Sequence, residues 1–314
     1  MTAAALFVGD VGWDTTLRVD HVPAPDEKVH VIEATESTGG VTANAAVAAA
    51  IAGASTRALM RFGSDAAGAR AREQLLSRGV NVAAETTTGP TCHAVIVLEP
   101  QGEKRLLLVP GVSMFPTLGA VDRVDLGGVG WVHTAAYDMA AASRLVARCR
   151  QAAVPWSVDL EPATFPDGIE SLADHLKGAE VVFCNARAAT RLGPRPAARL
   201  LAMGARSVVF SRGAGGAEWH EAGRAVVRAR ATPLASDHVV DTTGAGDCLA
   251  GWFIADRLRG IEPLAALRAA VTAATLSCYA IGAQPSYPGR EMVEAAIART
   301  ASQILPRDKE SEFT

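Results

Sequence analysis

A chain of 314 residues with 49% hydrophobic content can bury a substantial core, as one large α/β domain or two small ones. The formal net charge is −3 and only four of the 30 basic residues are lysine, so no basic face of the kind that draws nucleic acid is expected. Five cysteines (Cys92, Cys149, Cys184, Cys248, Cys278), odd in number and free of Cys-x-x-Cys spacing, point to reduced thiols rather than a disulfide framework or a zinc site.

The opening stretch Met1 to Val8 lacks the basic leader of a signal peptide and turns polar at Gly9-Asp10, which predicts a first strand. No apolar run approaches membrane-spanning length, so a soluble, cytoplasmic protein without a membrane partner is expected. After the strand, Trp13-Asp14 is expected in a loop. Open α/β sheets place their ligands at strand ends, which makes Asp14 a candidate ligand residue; the alternative is an Asx turn. Residues 17–36, with Pro23, Pro25 and the alternating Val29, Val31 and Ile32, predict a short β excursion.

Thr42 is expected to cap an alanine-rich helix from Ala43 to Ala52. Gly39 and Gly40 just before it would let backbone approach a ligand. Asn44 offers a donor and an acceptor to vicinal hydroxyls, or serves the first helical turn. Met60 to Gly63 reads as a strand end and Ala66 to Arg78 as the next helix. Cys92 to Leu98 and Arg105 to Val109, with Gly102 between them, predict a hairpin.

From Gly130 onward strands alternate with helices: Trp131 to Thr134, then a helix to Ala152, Trp156 to Asp159, Val181 to Asn185, and Ser207 to Ser211. That rhythm predicts parallel pairing in a doubly wound sheet. There is no internal repeat and no long linker, and the polar tail from Arg307 to Thr314 is expected to be disordered.

The stretch that carries chemistry is Asp241-Thr242-Thr243-Gly244-Ala245-Gly246-Asp247. It follows His238-Val239-Val240, expected to be extended, and leads into the helical spacing Leu249, Trp252, Phe253, Ala255 and Leu258. The first N–H groups of that helix have no intrahelical partner and sit at the positive end of its dipole, so they favour an anion. Asp247 lies on the same first turn, where it serves either as a base beside the anion or simply as a helix cap.

This stretch resembles the C-terminal signature of the ribokinase-like (PfkB) family of small-molecule kinases. Gly39-Gly40-Val41-Thr42-Ala43-Asn44-Ala45-Ala46, Gly63-Ser64-Asp65-Ala66-Ala67-Gly68 and Gly282-Ala283-Gln284-Pro285-Ser286 resemble three further family motifs in the family's order. The resemblance implies one domain over residues 1–306: a doubly wound, mostly parallel sheet with helices on both faces. It also implies a small β-sheet lid from segments 15–37 and 90–112, which in the family often doubles as a homodimer surface. It implies ATP as phosphoryl donor, Asp247 as general base, and Gly244, Ala245 and Gly246 as the anion hole. Asp14, Gly39, Gly40 and Asn44 would grip the sugar, and Ser211, Gly213 and Gly216 would meet the ATP phosphates.

Asn185 matches a family position near Mg²⁺, but the partner glutamate is absent because position 188 is alanine. Asp159 and Glu161 are candidates to take over its part. Asp241, Thr243 and Ser286 match the region that holds a monovalent cation, so K⁺ is expected there. The acceptor is expected to be a small sugar; a nucleoside, or a weakly catalytic binding protein on the same fold, are the alternatives. With 5% aromatic residues, a nucleobase slot is less favoured. Rival signatures fail: no lysine lies in a Gly-x-x-x-x-Gly-Lys loop, and neither Gly-Ala-Gly has the third glycine of a dinucleotide fingerprint.

Overall fold

The computed structural model describes residues 3–100, 103–231 and 239–304. The chain opens with β1 (Ala4–Gly9), β2 (Gly12–Arg18), β3 (Glu33–Gly39), α1 (Val41–Ile51), β4 (Thr56–Gly63), α2 (Ala66–Ser77) and β5 (Val80–Thr87). There follow β6 (His93–Leu98), β7 (Lys104–Val109), α3 (Leu118–Arg123), β8 (Val129–Thr134), α4 (Met139–Gln151), β9 (Trp156–Leu160) and α5 (Ala173–Leu176). The rest comprises β10 (Val181–Cys184), α6 (Ala186–Leu192), α7 (Pro196–Ala202), β11 (Ser207–Ser211), β12 (Ala217–Glu221), β13 (Val227–Ala229), α8 (Ala245–Leu258), α9 (Pro263–Ser277) and α10 (Arg290–Ile304).

Nine strands form the main sheet in the order β13-β12-β11-β10-β9-β8-β1-β4-β5. All neighbours from β11 to β5 are parallel, and β12 and β13 add an antiparallel edge. β1 is buried along its whole length, which is why it reads as an unbroken apolar run. Its Ala5 and Phe7 join one apolar layer with α1, α8 and α9, while Leu6 and Val8 join the other with α3 to α7. The doubly wound architecture is thus the expected one. The chain leaves β1 toward β4 and β5, then returns to β8 on its other side, so the strand order reverses between β1 and β8. At such a switch point the carboxyl ends of the strands open a crevice.

A second, four-stranded sheet, β3-β2-β6-β7, forms the lid. β2 pairs antiparallel with β3 and parallel with β6, and β6 pairs antiparallel with β7. Its first half is wider than the segment 15–37, because pairing starts at Gly12 and reaches Gly39. Asp14 therefore lies inside a lid strand opposite Ser37, not in a loop after β1. The 92–98 and 105–109 pair is borne out as β6 and β7; its turn residue Gly102 lies outside the described residues.

Two local expectations fail for physical reasons. Thr42 does not cap α1: the helix starts at Val41, and its first amides are capped from a distance. Val41 N and Thr42 N donate to the Asp10 carboxylate at 2.8 and 2.9 Å. Val239 and Val240 form no strand, because Val240 N and Asp241 N donate to Cys278 O at the end of α9 rather than to a sheet neighbour. His238 and the tail from Arg307 lie outside the described residues. All five cysteines are free thiols, four of them buried. Among the described residues no helix is long and apolar enough to cross a membrane.

The alanine run of α1 has a packing purpose. A Cβ at Gly251 of α8 would lie 2.3 Å from Ala45 O and 2.7 Å from Ala48 Cβ, so the two helices touch backbone to backbone. That closeness sets the start of α8 beside the start of α1 and brings two parts of the site together.

Candidate active site

Gly244 stands at the start of α8 with φ 73°, the left-handed region, and redirects the chain into the helix. The helical ladder begins with Cys248 N donating to Gly244 O at 2.8 Å, and Ala245 N makes only a long 3.4 Å bond to Thr242 O. The amides of Gly246 and Asp247 thus precede the ladder, at the positive end of the dipole. Behind the turn, Asp241 is fully buried and organises the loop. Its carboxylate accepts from Thr243 N at 2.8 Å, Thr243 Oγ1 at 2.6 Å and Gly282 N at 2.9 Å. The segment carrying Ser286 is thereby tied to the glycine turn, with Ser286 Oγ donating to Ala283 O at 2.7 Å.

Asp247, on the first turn of α8, is reached across the α1–α8 contact. Asn44 Nδ2 donates to Asp247 Oδ2 at 2.8 Å, and Gln284 Nε2 donates to Asn44 Oδ1 at 3.0 Å. Asn44 is therefore not an open amide: Gln284 sets its orientation and it aims the carboxyl of Asp247. Burial pushes the Asp247 pKa up to about 8, with the charges of Glu161 and Asp10 adding to it, while the Asn44 hydrogen bond and Lys104 work the other way. Asp14 is raised to about 7, mostly by burial and then by Asp10. It packs on Gly39 so closely that a Cβ there would sit 2.0 Å from Asp14 Oδ2. Gly40, at φ 102°, leads into α1 beside Asp10 O and Val11 Cα.

Two neighbouring cavities share lining residues, and Asp247 lines the smaller of them. A largely apolar cleft of about 410 Å³ is lined by Ser211, Gly213, Gly216, Gly246, Leu249 and Tyr279, among others. Gly213 and Gly216 shape its rim: the turn between them closes with Arg212 N donating to Gly216 O at 2.8 Å. A smaller cavity of about 40 Å³ is lined by Asp159, Glu161, Asn185 and Asp247 and shares Ser211, Gly246 and Leu249 with the cleft. Burial raises the pKa values of Asp159 and Glu161, and for Asp159 the charge of Glu161 adds to it. Asn185 caps α6 through Ala188 N at 2.9 Å and donates to Glu161 Oε1 at 3.2 Å. Ala188 is buried in the apolar layer under α6, so this turn presents no carboxylate to the cavity.

The carboxyls of Asp159, Glu161 and Asp247, the amide of Asn185 and the hydroxyl of Ser211 offer oxygen donors without forming a full protein cage, which suits an ion that keeps water and phosphate ligands. Sequence reasoning missed Asp10, Gln284 and Lys104. Asp10 is the acidic neighbour shared by Asp14, Asp159 and Asp247. Lys104 comes from the lid and donates from Nζ to Thr243 Oγ1 at 3.0 Å.

The model of the pfkB family carbohydrate kinases matches residues 4–290. The chain belongs to that family. As a carbohydrate kinase it is a phosphotransferase. It is 29% identical over 298 residues to an ATP-dependent ribose-1-phosphate kinase of Halopiger xanaduensis, covering 93% of this chain and 97% of that one. Among solved structures, Arabidopsis thaliana ribokinase complexed with ribose and ATP superposes with a TM-score of 0.78 at 24% identity, covering 94% of this chain and 98% of that one. A Burkholderia thailandensis nucleoside kinase in complex with inosine gives 0.79 at 18% identity, covering 96% and 100%. The likeness of this kinase to both structures is one of fold.

Proposed function

We propose that this kinase transfers the terminal phosphoryl group of ATP to a hydroxyl of a small sugar or sugar-like acceptor, with Asp247 as general base. The observation that carries the reading is the position of Asp247. Its carboxyl lies on the first turn of α8, whose free amides favour an anion, and lines the acidic cavity next to the apolar cleft, with Asn44 aiming it. The cleft takes the nucleotide, with Ser211, Gly213 and Gly216 beside its phosphates. The amides of Gly244, Ala245 and Gly246 stabilise the charge of the migrating phosphoryl, and Asp14, Gly39 and Gly40 hold acceptor hydroxyls. Asn185, Asp159 and Glu161 would hold Mg²⁺, which neutralises phosphate charge when bound. A cluster of buried carboxyls with raised pKa values supports a cation there. For K⁺, the oxygens of Asp241, Thr243 and Ser286 would fix the backbone behind Gly244; the burial of the Asp241 carboxylate behind that turn supports it.

The acceptor class is settled by a panel. Ribose, hexoses, ribose 1-phosphate and nucleosides, each with ATP and Mg²⁺ and with K⁺ against Na⁺, are expected to yield ADP above background for at least one sugar-like member. The kinship with a ribose-1-phosphate kinase puts an acceptor that already bears phosphate on that panel. Production of ADP with nucleosides alone would move the acceptor class, and none at all would reduce the protein to a ligand binder on this fold. Free thiols are consistent with action in the cytoplasm. We also infer a homodimer through the lid, supported by the outer strand β7, where Leu106, Leu107, Leu108 and Val109 are all more than half exposed; sedimentation at the monomer mass would refute it.

A pH profile follows from the Asp247 carboxyl. A proton held up to about pH 8 blocks the base in the free enzyme. kcat/KM is therefore expected to rise with pH toward about 8 and then level off, in contrast to an ordinary carboxylate, which would leave it flat above about pH 5. Measurement across pH 5.5–9.5 with saturating Mg²⁺ checks this.

A further inference from the structure

A cavity of about 800 Å³ lies at the amino ends of β8 to β11, the opposite end of the strands from the acidic cavity of Asp247. Strand β9 runs from one to the other: Trp156, its first residue, lines this cavity, and Asp159 lines the acidic one. The volume falls in the range of roughly 300–1,000 Å³ that small-molecule sites occupy.

The indoles of Trp131 and Trp156 form part of its wall. Trp131 Nε1 donates to Ser157 Oγ at 2.8 Å and Trp156 Nε1 to His175 O at 2.9 Å, so both N–H groups are taken and the rings offer carbon surface. The guanidinium of Arg150 lies over the Trp156 ring, 5.3 Å from its centroid, and extends that flat surface. Its Nη2 donates to Asp174 O and Lys177 O, while Nε and Nη1 have no acceptor among the described residues. At the rim, Glu180 is taken by Arg206 at 3.0 Å. The Lys177 ammonium makes no hydrogen bond or ion pair among the described residues. With Glu180 neutralised, Arg150 and Lys177 are opposed on this lining by Asp174 alone.

Trp131 also connects this wall with the acidic cavity. Its acceptor, Ser157 Oγ, lies 2.8 Å from His133 Nδ1. His133 Nε2 is buried with no partner among the described residues, so Ser157 alone fixes the imidazole by hydrogen bonding. The imidazole packs edge-on against Phe183 at 5.6 Å, and Phe183 lines the cavity of Asp159 and Asp247. Phe253, on α8 itself, packs edge-on against Phe183 at 6.0 Å.

We propose that the cavity at the amino ends of β8 to β11 is a second ligand site, for a planar ring that carries an anionic group. Its occupancy reaches the acidic cavity through Trp131, Ser157, His133 and Phe183. The ring lies on the indole and guanidinium surfaces, and Lys177 and the free edge of Arg150 hold the anion. A ligand pressed against Trp131 shifts its bond to Ser157, and the imidazole follows. The site stands apart from the kinase reading above; its effect on nucleotide binding rests on that reading.

The test titrates the full chain with 1-anilinonaphthalene-8-sulfonate while Mg²⁺ and the β,γ-imido analogue of ATP fill the nucleotide cleft, and follows probe fluorescence excited through tryptophan. One equivalent is expected to bind. N-phenyl-1-naphthylamine, the same rings without the sulfonate, should bind about tenfold or more weakly. Lys177→Glu, a change at an exposed position, should weaken the sulfonate by a similar factor and leave Mg²⁺-ADP affinity without probe unchanged. Bound sulfonate should change the Mg²⁺-ADP dissociation constant by about fivefold or more in wild type. Trp131→Phe keeps a ring but removes the N–H; it should still bind the probe and reduce that change to less than about twofold. No saturable binding with the cleft filled, or equal affinity in wild type and Lys177→Glu, overturns the site. Equal affinity for the uncharged naphthylamine overturns the anionic ligand class. An ADP affinity that ignores bound sulfonate overturns the coupling, and coupling that survives in Trp131→Phe overturns its route. If no acceptor in the panel is phosphorylated, the kinase reading fails, while probe binding still decides the site.

Discussion

Asp247→Asn is expected to cut turnover by about 10²–10⁴-fold while nucleotide affinity stays within a few-fold of wild type. The substitution is close to isosteric, and the new carboxamide can present its oxygen to Asn44 Nδ2, so the contact that ties α8 to α1 survives. What disappears is the ability to accept a proton. The same change has a signature in stability that does not depend on any substrate. An unfolded aspartate titrates near 3.9, whereas this one holds its proton up to about 8 in the folded protein. Between those values the native state binds more protons than the unfolded state, so the contribution of Asp247 to stability falls as pH rises. Asparagine has no such dependence. The variant should therefore melt above wild type at pH 9, and the gap should close as pH falls toward 4. Unchanged turnover would remove Asp247 from its role, and a melting difference independent of pH would show that its carboxyl titrates normally.

The opposite directions of those two effects have one cause. Several carboxyls, Asp10, Asp159, Glu161 and Asp247 among them, crowd one end of the sheet; burial raises all their pKa values, and the charges of acidic neighbours add to it for Asp159, Glu161 and Asp247. Such crowding destabilises the empty protein near neutral pH and leaves it ready for cations and a phosphoryl group.

What could be read from the sequence was local. The glycine turn into α8, the strand–helix alternation after Gly130 and the β6–β7 pair each depend on residues close in the chain, and each was found where expected. What escaped depends on tertiary pairing. Asp10 caps a helix that begins 31 positions later; Asn44 meets Asp247 over 203 positions, and Gln284 meets Asn44 over 240. Lys104 reaches Thr243 across 139 positions, from a strand whose pattern reads only as apolar. Asp14 was misplaced because only two residues separate β1 from β2, too few for the expected loop. No periodicity reports such contacts, since each joins elements whose own patterns are already satisfied.

Gly244→Ala is expected to lower the rate of phosphoryl transfer by about 10²–10³-fold, the cost of removing a preorganised donor from a developing charge. It should also lower the melting temperature. At φ 73° any side chain is strained, by about 1–2 kcal/mol in the left-handed region. The new Cβ would also lie 2.5 Å from Ala283 Cβ and 2.6 Å from Tyr287 Oη, and neither neighbour is free to retreat. Tyr287 Oη donates to Gly244 O at 2.9 Å, and the 282–286 segment is anchored through Gly282 N to Asp241. The start of α8 must therefore rotate, which turns the amides of Ala245 and Gly246 away from the two cavities. Gly246→Ala separates strain from chemistry. Its Cβ would meet nothing within 4 Å, and on the first turn of α8 a helical backbone restricts alanine no more than glycine. That variant should melt at or above the wild-type temperature, with turnover reduced only as far as a methyl group crowds the phosphoryl. If Gly244→Ala instead turned over within about threefold of wild type despite a lower melting temperature, the amides at this helix start would not be carrying the anion.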